Sequence, residues 1–363
     1  MRSSIRTVVV LAVAALLVVA FLRNVDLWRV VREIVHARPG WLALALATMV
    51  VNLVIRAVRW QYLLEPLGRV RFANAFRATA VGFAASTVLP ARAGEFIRPY
   101  FLSRHERMSA TAAFATVILE RLLDVVTVLG LLASFVFVFG RDLGAANPAR
   151  FAAVAWAGAT AAAISFASLV VLFVLAGHPA RLAHFLARLE AVVPSALARL
   201  IGGVVEKFAT GLGVIRRPRR LLVALAWSLP LWLSIALGIW AVSMAFRLPI
   251  PFTGSFLVLA ILVIGVAVPT PGAIGGFHEA YRLAVTTFYG ASEAAAVGAA
   301  LVLHLLSIGP SLLLGLYFAA QAGLNVSRMR ELAVHSHDAS APLAPPDAPR
   351  AARSTREPRG DAA

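Results

Sequence analysis

Three groups of charged residues stand inside or beside apolar runs of this chain. Glu95 and Arg98 follow Pro90 and Gly94. Glu279 and Arg282 follow Pro271, Gly275 and Gly276, and Glu120, Arg121 and Asp124 interrupt a long apolar run. A separation of three residues puts each Glu-x-x-Arg pair on one helix face, where it can form an ion pair. Glu120 and Asp124 also share a face, and Arg121 can reach Asp124. Charge within lipid is costly and turns toward a protein interior or a watered cavity, so function is the default hypothesis there. Arginine suits one chemistry in such a place, two-pronged hydrogen bonding to the phosphate of a lipid head group, while carboxylates set its geometry or exchange a proton. Gly275 and Gly276 can add backbone amide donors. The plainer alternative is structural, with charges neutralising one another across a helix bundle, and the residues alone leave both readings open.

The surrounding elements must be membrane helices. Of 363 residues, 60% are hydrophobic and 14% charged, with a mean hydropathy of +0.83, whereas a soluble domain is nearer half apolar and a quarter charged. Apolar runs at Thr7–Leu22, from Trp41, at Ala110–Phe139, Phe151–Ala176, Leu221–Phe246 and Ala294–Gln321 approach or exceed the roughly 20 residues a spanning helix needs. The first is expected to be a retained helix rather than a cleaved signal peptide, since only Val18-Val19-Ala20 resembles a cleavage site. Arg56 and Arg59, followed by Trp60 and Tyr62, are expected to snorkel at a helix end. The fold class is therefore an all-α polytopic membrane protein forming one membrane domain over residues 1–322. Within it, residues 177–220 are expected to form basic interfacial helices. Residues 323–363, rich in Ala, Pro and Arg, cannot build a core and are expected to be disordered.

Two further apolar runs, Ala78–Ala91 and Phe256–Val268, are short and end in proline and glycine. Thirteen residues separate Gly82 from Glu95 and fourteen separate Gly265 from Glu279. Two broken, re-entrant segments entering from opposite sides are the mark of an inverted repeat built around a transport site. Such breaks persist only against protein or a watered cavity. With six spans and two re-entrant hairpins, placing the N-terminus inside leaves 25 basic residues on inner segments and 7 on outer ones. Both termini are thus expected on the cytoplasmic side of a cell or inner membrane. If the broken runs cross fully, the span count rises to eight and the orientation is unchanged.

The net charge of +17 does not imply nucleic acid, because the arginines sit at the ends of apolar runs, where anionic lipid explains them. The chain has no cysteine. His278 stands beside Glu279 without a second well-spaced ligand, so no metal is expected, and no cofactor is. His304 lies inside the last span, suited to a buried hydrogen bond or a proton relay. No Walker A pattern is present to suggest direct drive by ATP.

The stretches Pro90–Arg98, Glu120–Asp124 and Pro269–Glu279 together resemble the transmembrane region of lysylphosphatidylglycerol synthases and its stand-alone, flippase-like relatives. The resemblance covers roughly residues 5–325. It implies lipid translocation between leaflets, with aminoacylated phosphatidylglycerol as the best-known cargo and prenyl-linked lipids or glycolipids as further candidates. Full-length synthases carry a soluble aminoacyl-transfer domain after the membrane region. Only about 40 residues follow the last span here, so the expectation is a transporter without synthase activity. Two other classes compete: a membrane-embedded transferase acting on polyprenyl-phosphate sugars, with Glu95, Glu120 or Asp124 as base, and a non-catalytic partner of a glycosyltransferase or lipid synthase.

Overall fold

The computed structural model describes residue 21 and residues 26–89, 92–139, 148–177, 217–267 and 270–323. The expected first span, most of the basic stretch 177–220 and nearly all of the tail lie outside these. The described residues form ten helices longer than one turn and no strand.

A short amphipathic helix, α1 (Leu27–Val35), opens them, capped by the Asp26 carboxylate accepting from the amides of Trp28 and Arg29. Then come α2 (Pro39–Leu64), α3 (Phe72–Val88), α4 (Gly94–Glu106) and α5 (Ala110–Ser134), which continues into a π-turn over Phe135–Phe139. α6 (Pro148–Gly177) leads to the second set: α7 (Pro218–Ala245), α8 (Gly254–Ala267), α9 (Gly276–Tyr289) and α10 (Glu293–Gln321). Four of these, α2, α5, α7 and α10, are long and apolar enough to cross a membrane, and the backbone of α6 runs for 30 residues.

The broken runs form helical hairpins. At about 1.5 Å per residue, the 13 and 14 residues of α4, α8 and α9 reach only about 20 Å, short of a hydrocarbon core about 30 Å thick. The legs of each hairpin cross at glycines. A Cβ added at Gly94 would overlap the Gly82 carbonyl, and one added at Gly82 would lie 2.7 Å from the Arg98 Cβ. In the second hairpin, a Cβ at Gly265 would overlap the Ala280 Cβ and lie 2.5 Å from the Gly276 carbonyl oxygen. Each hairpin is also tied at its base. The Arg71 amide donates to Glu106 across one, and the Tyr289 hydroxyl donates to the Gly254 carbonyl across the other, both ties joining residues 35 apart.

The order span, hairpin, span thus occurs twice, as α2, α3–α4, α5 and as α7, α8–α9, α10. The two first spans run antiparallel at the centre. Along α2 from Arg38 to Glu65, partners on α7 descend from Ala245 through Trp240, Gly238 and Ser228 to Arg220. Each hairpin packs on the last span of the other set, α3 on α10 and α8 on α5. This is an inverted repeat. The hairpin tips meet, with Gly272 against Thr87 and the Arg92 guanidinium donating to the Val266 carbonyl at 2.7 Å.

Candidate functional site

α2 continues for nine residues beyond Ile55, so Arg56 and Arg59 lie inside a helix rather than at its end. They do not snorkel. Arg59 is wholly buried and donates from Nη1 to Asp124 Oδ1 and Ser228 Oγ, both at 2.7 Å, and from Nη2 to Glu120 Oε1 at 2.9 Å. Glu120 and Asp124 stand near the middle of α5, and Ser228 near the middle of α7. A carboxylate inside a span needs a cation from a neighbouring helix, and α2 supplies it.

Three more arginines complete the cluster. Arg98, in the second turn of α4, donates to Glu120 Oε2 at 2.8 Å while its guanidinium lies 3.7 Å from the centre of the Trp60 ring. Arg56 donates to Asn52 Oδ1 and comes within 3.8 Å of Asp124, between the rings of Phe83 and Trp232. The Trp232 indole N–H donates to Asp124 at 3.0 Å. Arg121 reaches Asp124 at 3.4 Å and Glu95 at 3.3 Å, at the more open edge, where its side chain is 36% exposed. Glu95 therefore pairs with Arg121, and Arg98 with Glu120, rather than with each other as their spacing predicts.

The arrangement carries an imbalance. Four guanidiniums, from Arg56, Arg59, Arg98 and Arg121, face three carboxylates, from Glu95, Glu120 and Asp124. Buried Nε and Nη2 of Arg98, Nη1 of Arg56 and Nε of Arg59 have no hydrogen-bond acceptor among the described residues. Unpaired charged donors in a low-dielectric interior are expensive. An anion entering past Arg121 and Glu95 would give them acceptors.

The second Glu-x-x-Arg pair lies elsewhere. Arg282 binds Glu279, with Nε at 2.9 Å, and reaches Glu293 at the start of α10 at 2.8 Å, tying α9 to α10. The hairpin crossings explain why. The Ala280 Cβ meets Gly265 as the Arg98 Cβ meets Gly82, so Glu279 and Arg282 fall two positions out of step with Glu95 and Arg98. The Gly275 amide is also engaged, donating to His278 Nδ1 at 3.3 Å, while Gly276 serves the hairpin crossing. Of the nine candidate residues, five assemble into one cluster: Glu95, Arg98, Glu120, Arg121 and Asp124. Gly275, Gly276, Glu279 and Arg282 do not join it. Reading by residue type put Arg56, Arg59 and Trp60 at the membrane interface and passed over Asn52 and Trp232. The available signal was that two carboxylates inside a span demand buried cations, and that the sequence stays helix-compatible through Leu64.

Inverted spans with paired short hairpins and a buried arginine–carboxylate cluster define an all-α polytopic membrane protein. The family comparison agrees with that class. Residues 7–315 match the family model described as the lysylphosphatidylglycerol synthase TM region, and the chain belongs to that family. Two relatives are more distant. A UPF0104 membrane protein, MJ1595, of Methanocaldococcus jannaschii is 27% identical over 33% of this chain and 36% of its own length. Glycosyltransferase AglD of Haloferax volcanii is 29% identical over 30% of this chain and 17% of its own. The chain thus matches little more than a third of one curated relative and under a fifth of the other.

Proposed function

We propose that this protein moves a phosphate-bearing lipid between the leaflets of the cell or inner membrane. The cargo is an anionic, aminoacylated or prenyl-linked lipid or glycolipid, and the protein acts as a flippase- or scramblase-like transporter rather than as an enzyme. The observation that carries the reading is the surplus buried guanidinium in the α2–α4–α5–α7 cluster, with donors that lack acceptors. A phosphodiester or phosphomonoester offers acceptors of the right geometry and the missing negative charge. Paired hairpins of an inverted repeat are where transporters place such sites.

Both termini are placed on the cytoplasmic side. Removing the buried Arg56, Arg59 and Arg98 from the inner count of 25 leaves 22 against 7 outside, and the bias holds. A glycosyltransferase or lipid synthase is the natural partner to supply the cargo. The name of the Haloferax volcanii relative prompts a second reading, a transferase on polyprenyl-phosphate sugars. Against it, Glu120 accepts from Arg59 and Arg98, and Asp124 from Arg59 and Trp232, so neither carboxylate is free to act as a base.

The test is reconstitution into liposomes with fluorescent phosphatidylglycerol, its lysyl derivative and a prenyl phosphate, following head-group accessibility. Wild-type protein is expected to move at least one probe faster than empty vesicles. Arg98→Gln is expected to slow that movement about 10- to 100-fold, the worth of one or two charge-assisted hydrogen bonds. A preparation that moves none of the three while consuming a sugar donor sinks the transport reading.

A further inference from the structure

The tip of the second hairpin holds a histidine pair that the phosphate site does not use. His278 on α9 and His304 on α10 are both buried, 6% and 9% exposed. The Gly275 amide donates to His278 Nδ1 at 3.3 Å. His278 Nε2 and His304 Nδ1 lie 3.0 Å apart, and His304 Nε2 lies 2.8 Å from the Gly272 carbonyl oxygen. The two ends of this chain fix its protons. A backbone N–H can only donate, so His278 Nδ1 bears the lone pair. A carbonyl can only accept, so His304 Nε2 bears a proton. One proton then lies between the rings, donated by His278 Nε2. The chain accommodates two ring protons, and both imidazoles are neutral.

A third proton has no place in this arrangement. If it enters the bond between the rings, two N–H groups face each other. If the shared proton shifts so that His304 donates, the extra one must sit on His278 Nδ1, against the Gly275 N–H. The first case breaks the bond that ties α9 to α10, and the second breaks the Gly275 contact; the bond from His304 to Gly272 survives both. Residues 272–275 are backbone under constraint, with positive φ at Gly272 (59°), Ala273 (57°) and Gly275 (88°), and Gly272 is where this hairpin touches Thr87 of the other. From α8 to α10, no charged partner holds the added proton. α8 has no ionisable side chain. Glu279 is bound to Arg282, as is Glu293, and the Tyr281 hydroxyl meets Ser243. At the facing tip, Arg92 donates to Val266. On the other elements packed against α10, Arg77 of α3 lies over Phe318, and Arg56 and Arg59 of α2 belong to the carboxylate cluster. Arg220 of α7 pairs with Glu65, and α1 meets Gly298 of α10 through Ile34. The rings of Phe21 and Phe277 pack against the imidazoles.

We propose that the His278–His304 pair is a proton-binding site, and that taking up one proton from water breaks the link between α9 and α10, or that between α9 and Gly275, and so loosens the 272–275 tip where it touches the first hairpin. The step forms one N–H bond as one O–H bond of a hydronium ion breaks, leaving water, and within the protein it breaks hydrogen bonds only. Resting on the transport reading, it names the proton as the coupled ion, with release at low pH and closure at high pH.

The chain lacks cysteine, so Ile274→Cys, an exposed position on the tip, accepts a single nitroxide label in the full-length protein in liposomes. From about pH 8 to about pH 3.5, a range that includes and extends below the ordinary imidazole switch, the mobile fraction is expected to rise. One-proton linkage makes that rise about tenfold per pH unit until saturation. In His278→Phe and His304→Gln the label should be mobile throughout. A line shape that is constant with pH in wild type, or that titrates equally in both variants, overturns the site. In the same liposomes a proton gradient should change the rate at which fluorescent phosphatidylglycerol moves, and movement indifferent to it overturns the coupling. A label that titrates while no lipid moves leaves the proton site standing and removes the transport reading instead.

Discussion

At the scale of single residues, the cluster behaves as a linked set in which no charge can be removed alone. Arg59 serves Glu120, Asp124 and Ser228 together, and Glu120 serves both Arg59 and Arg98. Glu120→Gln is expected to destabilise the protein by about 3–5 kcal/mol, because it strands the buried Arg98 and takes one of its two carboxylates from Arg59. The double variant Glu120→Gln/Arg98→Gln should recover part of that loss, since it removes one stranded charge as well. Thermal melting in detergent of the single and double variants gives the coupling directly. Strict additivity would mean that Arg98 and Glu120 do not interact energetically.

At the scale of elements, much was legible in the sequence, and what was not has a physical cause. Apolar length sufficed for α2, α5, α6, α7 and α10, and proline with glycine sufficed for the two breaks. The register between the hairpins was not legible. The two Glu-x-x-Arg pairs look alike in sequence, yet which helix face they occupy depends on where the hairpin legs cross, at Gly82 with Gly94 and at Gly265 with Gly276. Arg56 and Arg59 were misplaced for a related reason. A charge eight or five residues before a helix ends and a charge beyond an apolar run look the same until the helix end is known. The crossings are themselves testable. Gly94→Ala should lower stability sharply, because its Cβ has no space beside Gly82. Gly130→Ala, on α5 with nothing within 4 Å, should be neutral or stabilising by up to about 1 kcal/mol. Equal melting temperatures for the two variants would contradict the crossing.

At the scale of the whole molecule, sidedness is the open question that one labelling experiment closes. Cysteines placed singly at Arg69, between α2 and α3, and at Arg247, between α7 and α8, sit at opposite ends of the antiparallel central pair. In intact cells a membrane-impermeant thiol reagent is expected to label the cysteine at 247 and spare that at 69. The reverse pattern would turn the protein over in the membrane, placing both termini outside.

The antiparallel pairing of α2 with α7 carries a consequence for motion. A two-fold operation that exchanges the two sets of helices maps this pair onto itself, with Arg38 near Ala245 at one end and Glu65 near Arg220 at the other. Much that differs between the sets lies away from it: Arg98 against Ala280, the histidine pair of α9 and α10, and the additional α1 and α6, while Arg56 and Arg59 mark α2 itself. On the transport reading proposed above, hairpins that exchanged postures would keep the central contacts. On that reading the pair would be an axle, and one chain would carry the outlines of two opposed shapes.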